Sequence, residues 1–175
     1  MKNYIEKTYC ANECCHLVVS RKPVFEPLEY LQDKTNRTKS GVFIIDSQNR
    51  VLLSQSYNSH WGVPKGTREI NESDVDASIR ETKEETGIDL SRLMFKNSIV
   101  KRFTIERVMY VIFFIILPTS GPETEEDPRI LGSESTGCGW INYKCLYDLY
   151  KKNNIKLNLI TRLALEKVTL LKWIN

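Results

Sequence analysis

Three glutamates in one short stretch have side chains and spacing suited to binding a metal ion. Glu84 and Glu85 stand three and four residues after Glu81, which places these carboxylates on one face of a helix. Crowded carboxylates repel one another unless cations neutralise them, and such hard oxygen ligands suit Mg²⁺ or Mn²⁺, which also bind phosphate oxygens. The alternative is a solvated, salt-bridged helix face, with Arg80 and Lys83 as the partners of the acids.

The residues around these glutamates predict the helix that carries them. Ser73 and Asp76 have the spacing of a capping box, so the helix should begin near Ser73. Gly87 suits the left-handed position that ends a helix. Apolar and β-branched residues recur at spacings of four, three and four, which predicts a separate packing face. They are Val75, Ile79, Thr82 and Thr86.

The stretch 66–88 resembles the Nudix box, G-x5-E-x7-R-E-U-x-E-E-x-G-U, in which U is an apolar aliphatic residue. The one departure is Thr82 at the first U position, where a β-branched side chain can still pack. The fixed positions that match are Gly66, Glu72, Arg80, Glu81, Glu84, Glu85, Gly87 and Ile88. The resemblance implies hydrolysis of a nucleoside diphosphate linked to another group. It also implies an α/β (α+β) Nudix fold, with a mixed sheet sandwiched between helices.

The same resemblance implies roles for the residues of the box. Glu81, Glu84 and Glu85 are expected to bind Mg²⁺ or Mn²⁺, and Glu84 and Glu85 are candidate catalytic residues. Arg80 is expected to hold a box glutamate by an ion pair rather than to touch substrate. Glu72 is expected to support the metal ligands from behind. Backbone conformation is the expected reason for the glycines Gly66 and Gly87.

The run from Trp61 to Leu90 resembles the catalytic segment of mRNA decapping enzymes of eukaryotes and of large cytoplasmic DNA viruses. The shared features include a Trp-Gly-x-Pro-Lys-Gly lead-in, and the similarity extends loosely over residues 41–148. In the eukaryotic enzymes a further glutamate, six residues before a late Trp, is a metal ligand or general base. Glu134 stands six residues before Trp140 and is the candidate here. The alternative is that Glu134 is one more acid in a polar loop.

The decapping resemblance implies a capped RNA substrate and 7-methyl-GDP as a product. Diadenosine tetraphosphate hydrolases share the Pro-Lys-Gly lead-in, whereas diphosphoinositol polyphosphate phosphohydrolases have glycine where Lys65 stands. A catalytically silent nucleotide- or RNA-binding Nudix module is a further alternative. Lys65 is a candidate phosphate ligand because it precedes a glycine just before the helix. Trp61 is either a core residue or a base-stacking, substrate-binding residue.

Length and composition predict one Nudix domain over residues 41–175, preceded by an extension, residues 1–40, packed on the core. That extension is shorter than the helical regulatory domain of eukaryotic decapping enzymes. The formal net charge of +3 allows nucleic-acid binding without requiring it. Five cysteines, three of them crowded at positions 10, 14 and 15, favour reduced thiols and a cytoplasmic location over a disulfide framework. Zinc binding by this cluster and His16 is a weaker alternative.

Apolar runs and turn residues predict the remaining elements. Strands are expected at 17–20, at 41–45 and 50–55 as a hairpin, at 98–103 and 108–117, and at 139–141. The apolar run 108–117 is too short to cross a bilayer, so no membrane partner is expected. Residues 118–136 are expected to form a loop, and helices are expected at 145–150 and 156–173, the latter long and amphipathic.

Overall fold

The computed structural model of the chain describes residues 4–7, 15–21, 37–57, 59–93, 95–117, 128–130 and 135–170. Nine strands and three α-helices lie within these residues. The strands are β1 (Tyr4–Lys7), β2 (His16–Ser20), β3 (Thr38–Ile45), β4 (Arg50–Ser56), β5 (Trp61–Gly62), β6 (Lys65–Thr67), β7 (Ile99–Ile105), β8 (Val108–Ile116) and β9 (Ser135–Asn142). The helices are α1 (Asp74–Thr86), α2 (Tyr143–Lys151) and α3 (Leu159–Leu170).

One mixed sheet organises the described part of the chain. Its strands run in the order β1-β2-β9-β4-β3-β8-β7, with β5 beside β4 and β6 beside β3. The pair β3 and β8 is parallel. The other ladders are antiparallel. The short strands β5 and β6 carry the chain from β4 into α1 and so place the start of α1 against β3.

Alternating side chains of the central strands feed two cores, one on each face of the sheet. On β3, Val42 and Ile44 belong to the smaller core, against which Val75 and Ile79 of α1 pack. Phe43 and Ile45 belong to the larger core. The buried residues that α2 and α3 add to the larger core are Tyr143, Leu146, Leu149, Ile160, Ala164, Leu165 and Val168. The predicted mixed sheet between helices is therefore confirmed.

Boundaries near the C-terminus differ from the prediction, and helix α2 spans Tyr143–Lys151 instead of the predicted 145–150. Strand β9 begins at Ser135, inside the predicted loop, because Ser135 and Thr136 are buried and Ser135 pairs with Ser56 of β4. Their hydroxyls donate to the carbonyl oxygens of Glu85 and Gln55, so small polar residues fill a buried strand without loss of hydrogen bonds. Helix α3 begins at Leu159 rather than at residue 156, and residues 171–173 of the predicted helix lie outside the described residues.

The strand predicted at 17–20 is present as β2, which joins the sheet through its pairing with β9. Cys15 and Cys138 are buried, and Cys145 is partly buried. Cys10 and Cys14 lie outside the described residues, so the predicted zinc alternative stays a hypothesis. Among the helices described, none combines the length and the apolar character needed to span a membrane.

Candidate active site

Helix α1 is fixed at both ends by local hydrogen bonds that its sequence dictates. The Ser73 side chain accepts a hydrogen bond from the Asp76 amide, and Gly87 adopts a left-handed φ of 77° while its amide donates to the Lys83 carbonyl oxygen. Asp74 in the first turn accepts a hydrogen bond of 3.0 Å from Ser40 on β3. The predicted beginning and end of this helix are confirmed.

The packing face of α1 is also as predicted. Thr82 and Thr86 are fully buried, and each hydroxyl donates to the carbonyl oxygen one turn earlier, at 2.7 Å. Thr82 therefore replaces the aliphatic residue of the motif without an unpaired hydroxyl in the core. With this face committed to the sheet, the charged side chains of the helix line a cavity instead.

This cavity, which we call the acidic cavity, has a volume of about 800 Å³. It brings six of the predicted site residues together and adds others from β3, β4 and the loop between β6 and α1. Its lining residues are Lys39, Ser56, Tyr57, Lys65, Gly66, Thr67, Arg68, Glu69, Ile70, Arg80, Glu81, Glu84 and Glu85.

Glu85 is half-buried and accepts two hydrogen bonds. Its Oε2 accepts a 2.7 Å hydrogen bond from Ser54 Oγ and a 3.2 Å hydrogen bond from the Lys65 amide. Burial raises the pKa of Glu85 to about 7, against the opposing effects of the Lys65 charge and the Ser54 hydrogen bond. Burial lowers the pKa of the Lys65 amine, although the Glu85 charge acts in the opposite direction. The site therefore holds a carboxyl group that can take up or release a proton near neutral pH.

Arg80 ties the carboxylates on the rim of the acidic cavity together. Its Nε and Nη2 donate to the two oxygens of Glu72, at 2.9 and 3.0 Å. Its Nη1 donates to Glu81 at 2.8 Å and to Glu84 at 3.2 Å, and Nη2 also reaches the Thr67 carbonyl oxygen. The hydrogen bond with Glu72 is the main cause of a raised pKa for the Arg80 guanidinium. Arg80 is therefore placed to orient Glu81 through an ion pair. Because its guanidinium group is paired with glutamates, it is not an open site for a substrate anion.

Gly66 lies directly against the Glu81 carboxylate. A Cβ atom built at Gly66 would overlap the carboxylate carbon and both of its oxygens. Gly66 does not adopt a positive φ, whereas Gly87 does. The prediction that backbone conformation requires a glycine is therefore wrong for Gly66 and confirmed for Gly87. Glycine at position 66 gives Glu81 the space to stand between α1 and β6.

The donor chemistry of the acidic cavity fits a hard divalent cation. Glu81 and Glu85 offer carboxylate oxygens, Glu81 with only 14% of its side chain exposed, and Glu84 follows on the same helix with 58% exposed. In the structure Arg80 contacts Glu81 and Glu84, and among the described residues no three acidic, histidine or cysteine side chains converge on one point. The raised pKa of Glu85 marks a buried carboxyl group that a cation would favour in its charged form.

Trp61 is a predicted site residue that does not line this cavity. Trp61 is 2% exposed and belongs to the larger core, so its assignment to substrate binding is wrong and core packing is correct. Glu134 lies outside the described residues, and its role as ligand or base stays a prediction. Ser135, the next residue, donates its hydroxyl hydrogen bond to the Glu85 carbonyl oxygen.

Sequence reasoning missed the residues that the sheet contributes to the site. Ser54 binds Glu85 although the two residues are 31 positions apart, and Lys39 and Tyr57 line the acidic cavity from β3 and from the end of β4. One signal was available, because Ser54 is a polar residue directly after the apolar run 51–53 of a predicted strand. Tyr57 carries a positive φ of 48°, which its sequence did not predict.

Comparisons with known proteins agree with this site. A family profile described as the NUDIX domain matches residues 35–163. The putative hydrolase 111R of Invertebrate iridescent virus 3 is 33% identical over 150 residues, which span 83% of this chain and 82% of the viral protein. The m7GpppN-mRNA hydrolase of Saccharomyces cerevisiae is 31% identical over 116 residues, which span 66% of this chain but only 12% of that protein.

A shorter match joins the chain to the asymmetrical bis(5'-nucleosyl)-tetraphosphatase of Sus scrofa, 50% identical over 44 residues, 24% of this chain and 30% of that enzyme. Among solved structures, the MutT protein from Methanosarcina mazei Go1 superposes with a TM-score of 0.56 at 18% identity, over 81% of this chain and 99% of the other. That likeness shows the shared fold. The chain belongs to the Nudix family and is a Nudix hydrolase, which acts on pyrophosphate bonds.

Proposed function

We propose that this Nudix hydrolase is an mRNA decapping enzyme, which cleaves capped RNA into 7-methyl-GDP and RNA with a 5'-monophosphate. The observation that supports it most is the similarity to an m7GpppN-mRNA hydrolase over 116 residues, about two thirds of this chain. The matched part is a small share of that enzyme, so its substrate is carried to this chain as a proposal. The acidic cavity, with Lys65 and three glutamates, has the charges that a polyphosphate bridge and its cations need.

The proposed cofactor is Mg²⁺ or Mn²⁺, held by Glu81, Glu84 and Glu85, with Glu134 as a further candidate ligand. Nudix hydrolases in general need such divalent ions. The ion would supply neutralisation of phosphate oxygens and acidification of a water molecule. We assign proton transfer, positioning and phosphate binding to side chains of this protein.

Glu85 is the residue we place at the proton transfer step, together with Glu84 or Glu134. Burial raises its pKa to about 7 in the metal-free chain, and a bound cation would lower that pKa and keep the carboxylate charged, which is the form that accepts a proton. The Ser54 hydroxyl and the Lys65 amide hold its Oε2 in place. Arg80 positions Glu81 through its 2.8 Å contact, while the Lys65 ammonium group is proposed to bind a bridging phosphate.

The body of a capped RNA is a polyanion, and α2 with the loop after it offers exposed positive charge. Lys144, Lys151, Lys152 and Lys156 are exposed, and the Lys151 ammonium group lies 5.2 Å from the ring centroid of Tyr147. Binding that depends on such lysines weakens as salt rises, because releasing counterions into a more concentrated salt solution gains less free energy. We therefore expect the RNA body to raise affinity at low salt.

The test compares two substrates in one buffer with Mg²⁺. The specificity constant kcat/KM is measured for a capped RNA of about 30 nucleotides and for diadenosine tetraphosphate, at low and at raised salt. If the protein is a decapping enzyme, kcat/KM should be larger for capped RNA than for diadenosine tetraphosphate, and lower for the free cap dinucleotide than for capped RNA. Among these substrates, only capped RNA should show a kcat/KM that falls steeply as salt rises. Chelation of the metal with EDTA should abolish hydrolysis of every substrate.

The second candidate is a diadenosine tetraphosphate hydrolase, favoured by the 44-residue match to the enzyme of Sus scrofa. If the dinucleotide exceeds capped RNA in kcat/KM by about tenfold or more, the decapping proposal fails and this alternative replaces it. Binding of capped RNA without any metal-dependent cleavage would instead indicate a silent Nudix module.

A further inference from the structure

Lys39 is a second lysine of the acidic cavity, and the register of the sheet places it beside Lys65. In the antiparallel ladder of β3 and β6, Lys39 pairs with Thr67 and Gly41 pairs with Lys65. Directly paired residues share a face of the sheet, as do residues two apart on one strand. Lys39 and Lys65 are therefore diagonal neighbours on one face, at a typical Cβ separation of about 7 Å.

Gly41 gives the Lys65 side chain its space on this face. A Cβ atom at Gly41 would overlap the Cβ of Lys65 and the Pro64 carbonyl oxygen. The absence of a side chain at position 41 lets β6 approach β3 closely and leaves room between Lys39 and Lys65. Both lysines line the same cavity as the three glutamates of α1.

The two lysines carry like charges in a cavity that also holds four glutamates. Lys39 and Lys65 are close enough to repel each other, whereas Lys65 is also attracted by Glu85. The two arginines of the cavity already contact acids, since Arg68 lies 3.2 Å from Asp74 and Arg80 binds glutamates. A polyphosphate lying across both ammonium groups would remove their mutual repulsion.

We propose that Lys39 forms a phosphate subsite next to that of Lys65, so that the cavity selects bridges of three or more phosphates over diphosphates. Lys65, beside Glu85, contacts the phosphate nearest the metal carboxylates, and Lys39 contacts the next one. The inference rests on the proposed function in placing a polyphosphate in this cavity. It adds a residue that discriminates between bridge lengths, which Lys65 alone does not do.

The test measures anion binding without any hydrolysis. Imidodiphosphate and diimidotriphosphate, whose P–N–P bridges resist cleavage, are titrated calorimetrically into the full chain with Mg²⁺. In Lys39→Met, which keeps the length of the side chain, we expect the dissociation constant for diimidotriphosphate to rise about tenfold, while that for imidodiphosphate changes little. Lys39→Arg should retain the preference because it keeps the charge.

Lys96→Met is the matched control, because Lys96 is exposed and lies outside the lining of the acidic cavity. It should leave both affinities unchanged. The subsite proposal would be overturned if Lys39→Met weakened the binding of both anions equally, or weakened the binding of neither. It would also be overturned if Lys96→Met had the same effect as Lys39→Met. The assay does not depend on decapping, so a failed capped-RNA test leaves this result interpretable on its own.

Discussion

Gly66 and the carboxylate of Glu81 occupy adjoining space, so close that any side chain at position 66 would overlap the carboxylate. The glycine belongs to β6 and the glutamate to the middle of α1, so the contact joins two elements of the site. Because the overlapping atoms are the end of a flexible side chain, an added methyl group should move Glu81 rather than unfold the chain.

We therefore predict that Gly66→Ala separates metal binding from stability. The displaced Glu81 should weaken Mg²⁺ or Mn²⁺ binding and lower turnover by about 10²-fold, the scale of a misplaced catalytic group. The unfolding midpoint without metal should change little. Calorimetric metal titration and thermal unfolding measure the two effects.

Gly137→Ala is the control with the opposite expectation. A Cβ at Gly137 would crowd the Trp61 ring in the larger core, where overpacking costs about 1–3 kcal/mol. Thermal unfolding should therefore shift in this variant. A loss of stability in Gly66→Ala as large as that in Gly137→Ala would show that the glycine serves packing rather than the position of Glu81.

The parts of this site that could be predicted from sequence are those encoded locally. A capped helix with an acidic face is predicted by Ser73, by Gly87 and by the spacing of the glutamates, because each of these signals acts within a few residues. Ser54 and Lys39 reach the site only because β4 and β3 pair with their neighbours in one particular register, which no local pattern encodes. Trp61 was ambiguous for the same reason, since burial depends on which elements come to cover it.

The clustered glutamates can be tested by substitutions that remove charge and keep shape. We predict that Glu85→Gln and Glu84→Gln each lower turnover by several orders of magnitude with the fold retained, because phosphate charge must be neutralised before water attacks. Steady-state hydrolysis and circular dichroism report the two properties. Glu69→Gln, also on the wall of the acidic cavity, serves as the control and should stay within a few-fold of the parent chain. Near-parental rates in both box variants would refute the assignment of the site.

Glu134 is tested against other acids of the same predicted loop. If it is a metal ligand or general base, Glu134→Gln should lower turnover by about 10²-fold or more. Glu123→Gln, Glu125→Gln and Glu126→Gln should have little effect, because they lack the spacing to Trp140 that motivates the role. The measurement is kcat under saturating substrate and metal. A small and equal effect at all four positions would return the role of base to the box.

The pKa of Glu85 predicts how the stability of the metal-free chain depends on pH. An ordinary glutamate pKa is 4.5, and burial raises that of Glu85 to about 7 in the folded chain. Between these values the folded state binds a proton that the unfolded state has lost, so the contribution of Glu85 to the free energy of unfolding falls as pH rises through this window. Above pH 7 the folded chain carries the full cost of a buried charge.

Glu85→Gln should therefore stabilise the metal-free chain at pH 8 by on the order of 1–2 kcal/mol, and the gain should vanish near pH 4.5. Ser54→Ala removes a hydrogen bond that lowers the pKa of Glu85. The substitution should therefore raise this pKa and extend to higher pH the range in which the stability contribution of Glu85 changes. At pH 8, Mg²⁺ should stabilise the parent chain and have a much smaller effect on Glu85→Gln, because the ion binds the charged carboxylate. Denaturant unfolding at several pH values, with EDTA and with Mg²⁺, measures these differences. A constant difference between Glu85→Gln and the parent chain from pH 4.5 to pH 8 would show that Glu85 titrates normally and would remove it as the group that exchanges a proton near neutral pH.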